Sequence, residues 1–259
     1  MNRERFLELV DYRLFGNRMD PSQRAGIEAI LDEWDLRRLL DLRQLAYILA
    51  TVKWETAATM QPVREAYWLS ENWRRINLRY YPYYGRGLVQ ITWERNYREM
   101  TRLLKARFTP RFLDFDMVKT PDLALDPAVA IAITFEGMFG GLFTGKSLED
   151  YFTSTQTNWV GARKIINGTD RAAEIAQIAI DFHNCLLEKP VAARLLQFGM
   201  NGPDVTALQR ALGPFYKGQL DEDFGPATRN AVIAFQKAHP ECGDADGIVG
   251  PRTRAVLGV

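Results

Sequence analysis

Apolar residues recur at helical spacing in several stretches of the chain, most clearly over residues 45–55. One stripe occupies positions i, i+3, i+4 and i+7: Leu45, Ile48, Leu49 and Val52. This spacing predicts an amphipathic helix with one face in a core. Glu55 continues the stripe, so the pattern places a carboxyl group on the buried side of the helix end. Such a carboxyl is either unpaired and functional or paired with an Arg or Lys, and the pattern alone favours neither.

Other helices are predicted where a capping residue precedes an apolar pattern. The predicted start residues are Asp20, Asp41, Thr92, Asp126 and Asp170. Residues 57–84 and 105–125 lack periodicity and contain prolines, so we predict loops and short extended segments there, with at most a small β-hairpin. The first part of the chain is therefore predicted to be a mainly α domain.

The pattern changes near residues 188–190, and an internal repeat follows. FGPATR at 224–229 returns as VGPRTR at 249–254. Each copy predicts a turn that leads into a helix, because proline is favoured in the first helical turn. We predict two domains, a mainly α domain at 1–188 and a small three-helix domain at 190–259.

Composition and charge describe an ordinary globular protein. The chain has 259 residues, 47% apolar content and a formal net charge of +1. This balance gives no reason to expect nucleic acid or an anionic membrane as partner. The arginines at 74, 75 and 79 are interpreted as a solvated face. We expect a monomer.

Histidine and cysteine are scarce, which excludes several kinds of chemistry. The two cysteines, Cys185 and Cys242, are far apart and indicate no disulfide framework. His183 and His239 fall in different predicted domains, so zinc hydrolysis is not expected, and neither is any cofactor. The first 16 residues contain no uninterrupted apolar run typical of a signal peptide. We therefore expect synthesis in the cytoplasm (the host cytoplasm, if the gene is a phage gene) and action after release.

Carboxylates and glycines cluster downstream of the 45–55 helix. Glu65 follows Glu55 by ten residues, and a turn at Gly85, Arg86 and Gly87 comes next. Glycoside hydrolysis uses two carboxylates, and glycine lets the backbone approach a sugar closely. These residues therefore predict a glycoside hydrolase.

Residues 40–186 resemble the family 19 glycoside hydrolases (chitinases and related phage endolysins) of the lysozyme-like superfamily. The matching motifs are WET at 54–56, RE at 64–65, YGRGLVQIT at 84–92, NY at 96–97 and IING at 165–168. The resemblance implies a two-lobed helical fold, with Glu55 as general acid, Glu65 as the base that activates water, and Thr92 helping to hold that water. It also implies a set of substrate contacts: Tyr84, Arg86, Gln90, Asn96 and Asn167.

Residues 195–258 resemble the peptidoglycan-binding domain 1 family, a three-helix module appended to wall hydrolases. Its elements occur in order as LQ at 208–209, FGPAT at 224–228, FQ at 235–236 and DGIVGPRT at 246–253. The resemblance implies peptidoglycan as the partner.

Together the two resemblances imply an endolysin-like enzyme for bacterial lysis. It would cleave the glycan strand between N-acetylmuramic acid and N-acetylglucosamine with inversion, using no metal. Three alternatives stay open at this point: an endochitinase, a lytic transglycosylase with one catalytic glutamate and a structural Glu65, and a non-catalytic wall-binding virion protein.

Overall fold

The structure is a computed structural model that describes residues 2–187 and 195–258. The chain divides into two compact units, Met1–Glu188 and Lys189–Val259, and each has its own hydrophobic core. The predicted domain junction at 188–190 lies outside the described residues. The described residues are mainly helical, as the sequence predicts.

Helices make up most of the first unit. They are α1 (Arg3–Val10), α2 (Pro21–Leu36), α3 (Leu42–Glu55), α4 (Glu71–Asn77), α5 (Glu94–Phe108), α6 (Pro127–Gly140) and α7 (Ala172–Leu186). Shorter turns of π or 3-10 helix lie at Asp11–Phe15, Pro121–Leu125, Leu148–Asp150 and Gly161–Ile165. A small hairpin pairs β1 (Val63–Arg64) antiparallel to β2 (Arg86–Gly87). The hairpin joins segments more than twenty residues apart, so it brings Glu65 beside Gly85.

Three of the predicted caps are confirmed. Asp20 accepts from the backbone of α2 and forms a capping box with Gln23, while Asp41 and Asp126 cap α3 and α6. Each carboxylate satisfies amide groups that the first helical turn leaves without partners.

Two predicted caps are wrong. Trp93 occupies the N-cap of α5 at φ 73°, and the Thr92 hydroxyl donates instead to the Gln90 carbonyl at 2.9 Å. Arg171, at φ 56°, precedes α7 in place of Asp170. Both helices begin after a residue in a left-handed backbone conformation, which a cap search based on side-chain type does not detect.

The prediction of loops over 57–84 missed α4, and α5 runs further than predicted, to Phe108. Ser70 caps α4 by accepting from the Trp73 amide at 3.1 Å. In this short helix only Arg74 is buried, so its sequence has no apolar stripe to reveal it.

Helix α3 lies at the centre of the first unit and packs against α7. Nearly the whole length of α3 is buried, including the ring of Tyr47. Because the helix is fixed along its length, its last residue, Glu55, has a defined position.

A buried ionic cluster connects α2 with α5. Glu33, which is 5% exposed, accepts from Arg37 at 2.6 Å and from Arg107 at 2.7 Å. Burial acts to raise the pKa of Glu33, but the two guanidinium groups outweigh it and hold the pKa below the ordinary 4.5. Glu33 therefore stabilises the fold in its ionised form.

The second unit contains α8 (Pro203–Ala211), α9 (Pro226–Ala238) and α10 (Pro251–Leu257). Its core includes Leu208, Phe224, Val232 and Val249. Leu196 exchanges backbone hydrogen bonds with Val249, which ties the start of the described part of this unit to its second repeat.

The internal repeat is organised around one buried glutamine per copy. Gln209 is 1% exposed and Gln236 is 2% exposed. The Gln209 amide nitrogen donates to the Asp221 carboxylate, the Asp223 carbonyl and the Thr228 hydroxyl. The Gln236 side-chain nitrogen donates to the equivalent groups, which are the Asp246 carboxylate, the Ile248 carbonyl and the Thr253 hydroxyl. The repeated Gln and Thr are thus explained by one turn-holding network that occurs twice.

Candidate active site

A cleft of about 510 Å³ opens on the first unit. Its walls bring together six of the eight predicted site residues: Glu55, Glu65, Gln90, Thr92, Asn96 and Asn167. They come from the end of α3, the residues beside the hairpin, the start of α5 and the turn that follows Gly161–Ile165. The volume is typical of a small-ligand site.

Glu55 enters the cleft from the last turn of α3, already paired. Arg163 donates to Glu55 Oε1 at 2.5 Å and to the Asp170 carbonyl at 3.1 Å. The side chains of Glu55 and Arg163 are 16% and 6% exposed. Of the two possibilities that the pattern left open, the unpaired carboxyl is wrong and the arginine-paired one is observed. Within the described residues no group donates to Oε2, so that oxygen can contact a substrate.

Glu65 is held at both carboxylate oxygens by uncharged donors. The Tyr80 hydroxyl donates to Oε1 at 2.6 Å, and the Gly85 amide donates to Oε2 at 2.9 Å. Burial, together with the bond to Glu65, raises the pKa of Tyr80 to about 12, so this phenol remains a donor across the neutral range. Each carboxylate oxygen has a second lone pair, which leaves Glu65 able to accept a proton from water.

Arg74 fixes the backbone around Glu65. Its guanidinium donates to the carbonyls of Glu65 and Ala66 at 2.8 and 3.0 Å, and the residue is 4% exposed. The interpretation of arginines 74, 75 and 79 as a solvated face is therefore wrong for Arg74. Arg79 is exposed, in agreement with that interpretation, and it also lines the cleft.

The two glycines of the 85–87 turn have different roles. A Cβ on Gly85 would lie 2.7 Å from Gln90 Oε1 and 3.2 Å from Glu65 Oε2, so its absence makes room for the cleft side chains. Gly87 is buried at φ 87°, and a Cβ there would lie 2.9 Å from the Ala124 carbonyl. The expectation that glycine exposes the backbone to a sugar is thus wrong for Gly87, which serves packing and backbone conformation.

Residues 90–96 form one wall of the cleft through local hydrogen bonds. Gln90 has φ 54°, and its amide nitrogen donates to the carbonyls of Val63 and Gly87 at 3.1 and 3.2 Å. Asn96 donates to the Thr92 carbonyl at 2.7 Å. These bonds fix the wall, and the Thr92 hydroxyl oxygen keeps acceptor capacity for water.

Tyr84 and Arg86 do not contact the cleft, which corrects their predicted role in substrate binding. They are 1% and 3% exposed, and the Arg86 guanidinium lies 3.6 Å from the centre of the Tyr84 ring. Tyr84 donates to Glu71 at 2.9 Å, and Arg86 donates to Asp122 at 2.7 Å. The pair therefore supports the hairpin behind the cleft.

Asn167 lines the cleft and is exposed, in a turn where its side-chain oxygen accepts from the Gly168 amide at 2.8 Å. Its side-chain nitrogen is the group suited to contact a ligand oxygen.

Sequence reasoning missed Arg163, Trp93 and Arg95. Arg163 pairs with Glu55, which is 108 positions away in the sequence, so no local sequence pattern could indicate this contact. Trp93 and Arg95 directly flank the predicted Thr92 and Asn96, and that adjacency was the available signal.

Comparison with known families supports the second resemblance. Residues 201–257 match the family described as "Putative peptidoglycan binding domain". The match spans the greater part of the second unit and supports peptidoglycan as a partner of this chain, as expected of a cell-wall-associated protein. A search of curated proteins finds no match.

Two further observations concern the described residues. None of their helices combines the length and apolar character needed to cross a membrane. No group of three or more His, Cys, Asp or Glu side chains among residues 2–187 and 195–258 is placed to hold a metal ion.

Proposed function

We propose that the chain is a peptidoglycan hydrolase of the endolysin type, in which the first unit cuts the glycan strand and the second binds the wall. The bond cleaved is the one between N-acetylmuramic acid and N-acetylglucosamine. The observation that carries the proposal is the meeting of Glu55 and Glu65, from separate elements, in one cleft. The family match at 201–257 supplies the wall as the setting.

In this mechanism Glu55 is the general acid. Arg163 holds Oε1, so Oε2 is the oxygen that faces the leaving sugar in this proposal. The bond between the anomeric carbon and that oxygen breaks, and the oxygen takes the proton from Glu55.

Glu65 is the general base in the same step. A water molecule donates one hydrogen to Glu65 and the other to the Thr92 hydroxyl oxygen, which is an acceptor because the hydroxyl's own hydrogen is directed to Gln90. The water oxygen bonds to the anomeric carbon, and its proton passes to Glu65. Attack from the face opposite the leaving group inverts the anomeric configuration.

One observation favours a second candidate, the lytic transglycosylase. Glu65 also joins the hairpin, since its amide donates to the Gly85 carbonyl at 2.7 Å and its carboxylate accepts from the Gly85 amide. A purely structural Glu65 would leave Glu55 as the sole catalytic carboxyl. The muramic acid 6-hydroxyl would then attack in place of water and leave an anhydro end.

The proposal is tested by measuring reducing ends released from purified sacculi and from colloidal chitin. We expect release from sacculi, abolished by Glu55→Gln and unchanged by Glu149→Gln, which removes an exposed carboxyl outside the cleft. Preferential release from chitin would identify an endochitinase. Release of neither reducing ends nor anhydro-muramic fragments from either polymer would leave a non-catalytic wall-binding protein.

Wall binding is assigned to residues 190–259. This fragment should sediment with sacculi and hydrolyse nothing, while residues 1–188 should cleave soluble glycan fragments and bind sacculi more weakly than the full chain. Equal sedimentation of the 1–188 fragment and the full chain would contradict the assignment. In this proposal the enzyme is made in the cytoplasm and reaches the wall through a membrane lesion.

A further inference from the structure

The rim of the cleft carries an exposed indole in a fixed position. Trp93 is 42% exposed and lines the cleft, although large apolar side chains are usually buried. The Trp93 and Tyr80 rings are arranged edge to face with centroids 5.1 Å apart, and the Arg79 guanidinium lies 5.3 Å from the centre of the Trp93 ring. A bulky residue at φ 73° is a backbone outlier, and such outliers cluster at functional sites.

Two arginines flank this ring without a carboxylate partner. Within the described part of the chain, neither Arg79 nor Arg95 forms an ion pair, although Arg98 and Arg102 on the same helix as Arg95 are paired with glutamates. Arg95 also borders an adjoining cavity of about 440 Å³, which shares Asn96 and Phe143 with the cleft. Glu55 is already paired with Arg163, so among the described residues that line the cleft Glu65 is the one carboxylate left to oppose two guanidinium groups.

This charge pattern distinguishes between the two candidate polymers. Chitin is an uncharged polymer of N-acetylglucosamine. Every muramic acid residue carries a lactyl ether, whose carboxylate is free in peptide-free strands and is amide-linked to a carboxylate-bearing stem peptide in intact wall. A guanidinium recognises a carboxylate through charge-assisted hydrogen bonds.

We propose that Trp93, Arg79 and Arg95 form a rim that selects carboxylate-bearing glycan strands over uncharged ones. The indole stacks on a sugar face, and the two guanidinium groups bind a carboxylate attached through the muramic acid lactyl group. This inference rests on the proposed glycan substrate and specifies how that substrate is recognised.

The test is a cycle between protein charge and substrate charge, measured as the Kd of soluble glycan fragments by titration calorimetry. Both proteins carry Glu55→Gln so that the fragments are not cleaved: the full-length protein with the wild-type rim and the full-length Arg79→Gln/Arg95→Gln variant are each titrated with fragments in native form and with the carboxylates amidated. Peptide-free and peptide-bearing fragments are used in separate arms, which distinguish the lactyl carboxylate from the stem carboxylates. Any contribution of the second unit is common to both proteins and cancels in the comparison.

We expect amidation to weaken wild-type binding about tenfold in at least one arm and to change variant binding by less than about twofold. Arg75→Gln/Arg98→Gln removes the same two charges from exposed positions outside the cleft and should behave as the wild type. Trp93→Ala should weaken the binding of native and of amidated fragments by the same factor, because stacking of the indole on a sugar does not depend on the charge of the fragment. If amidation changes the Kd of wild type and variant by the same factor in both arms, the proposed role of the rim is wrong.

Cleavage of the same fragments by the proteins with Glu55 intact is measured in parallel. If amidation weakens binding only when the two arginines are present, but no fragment is cleaved, the rim proposal holds and the hydrolase proposal is refuted. If the fragments are cleaved but amidation affects both proteins equally, the hydrolase proposal holds and the rim proposal is refuted.

Discussion

Substitution by alanine should reduce mainly activity at Gly85 and mainly stability at Gly87, although the two positions are only two residues apart. Gly85 has no left-handed backbone requirement, so Ala costs little there in conformation. The new Cβ would meet Gln90 Oε1 at 2.7 Å, which must move by about 0.7 Å to reach the ordinary contact distance of 3.4 Å, and it would also press on Glu65 Oε2 at 3.2 Å. The larger displacement therefore falls on Gln90, and a smaller one falls on the proposed base, Glu65.

We expect Gly85→Ala to lower kcat by about three- to tenfold, because Glu65 Oε2 must move by only about 0.2 Å to reach 3.4 Å, whereas a misplacement of about 1 Å costs about 100-fold. Its free energy of unfolding should fall by about 1 kcal/mol, since the new Cβ meets side-chain atoms and no backbone atom. The measurements are initial rates of reducing-end release from sacculi and urea unfolding of the same preparations.

Gly87→Ala should show the opposite balance. The left-handed φ costs about 1–2 kcal/mol for alanine, and the clash with the Ala124 backbone adds about 1–2 kcal/mol, so the free energy of unfolding should fall by about 2–4 kcal/mol. Gly145→Ala is the matched control, because Gly145 has φ 82° with open space around it and so isolates the conformational cost. A Gly87→Ala protein as stable as Gly145→Ala, or a Gly85→Ala protein with wild-type kcat, would refute this reasoning.

Three further predictions concern other polar contacts. Because the folded-state pKa of Glu33 lies below 4.5, its stabilisation is complete above that pH and is lost as the pH falls towards the folded value. Glu33→Gln should therefore unfold in urea about 2 kcal/mol more easily at pH 7, with a gap that narrows below about pH 4.5. Gln236→Ala should destabilise the second unit by about 2–3 kcal/mol and weaken sedimentation with sacculi, while cleavage of soluble fragments is retained. Arg163→Lys keeps the charge but not the two directed bonds, so kcat should fall about tenfold with KM unchanged in steady-state assays.

Long periodic elements and acidic caps were readable from the sequence. Helix α3 ends at Glu55 as predicted, and Asp20, Asp41 and Asp126 cap their helices. In each case the signal is local, because the capping side chain bonds amides two or three residues away. The repeat at 224–254 and the LQ and FQ motifs were also visible, but the burial of Gln209 and Gln236 and their hydrogen bonds to the two turns were not.

The failures have physical causes of a different kind. Trp93 and Arg171 hold left-handed backbone conformations at helix starts, and residue type does not announce this for a Trp or an Arg. Tyr84 belongs to the same motif as Gln90, yet it packs behind the cleft, because a motif does not specify which side of a hairpin each side chain occupies. Arg163 reaches Glu55 only through the tertiary fold.

The division of work between Glu55 and Glu65 is the central claim, and the products from sacculi test it most directly. The measurement is mass spectrometry of fragments released by the wild type, Glu55→Gln and Glu65→Gln at matched enzyme concentration. The account predicts hydrated muramic acid ends from the wild type, no products from Glu55→Gln, and rates from Glu65→Gln reduced by about 10²- to 10⁴-fold. Anhydro-muramic ends from the wild type, together with a Glu65→Gln variant near full activity, would contradict it and leave Glu55 as the sole catalytic carboxyl.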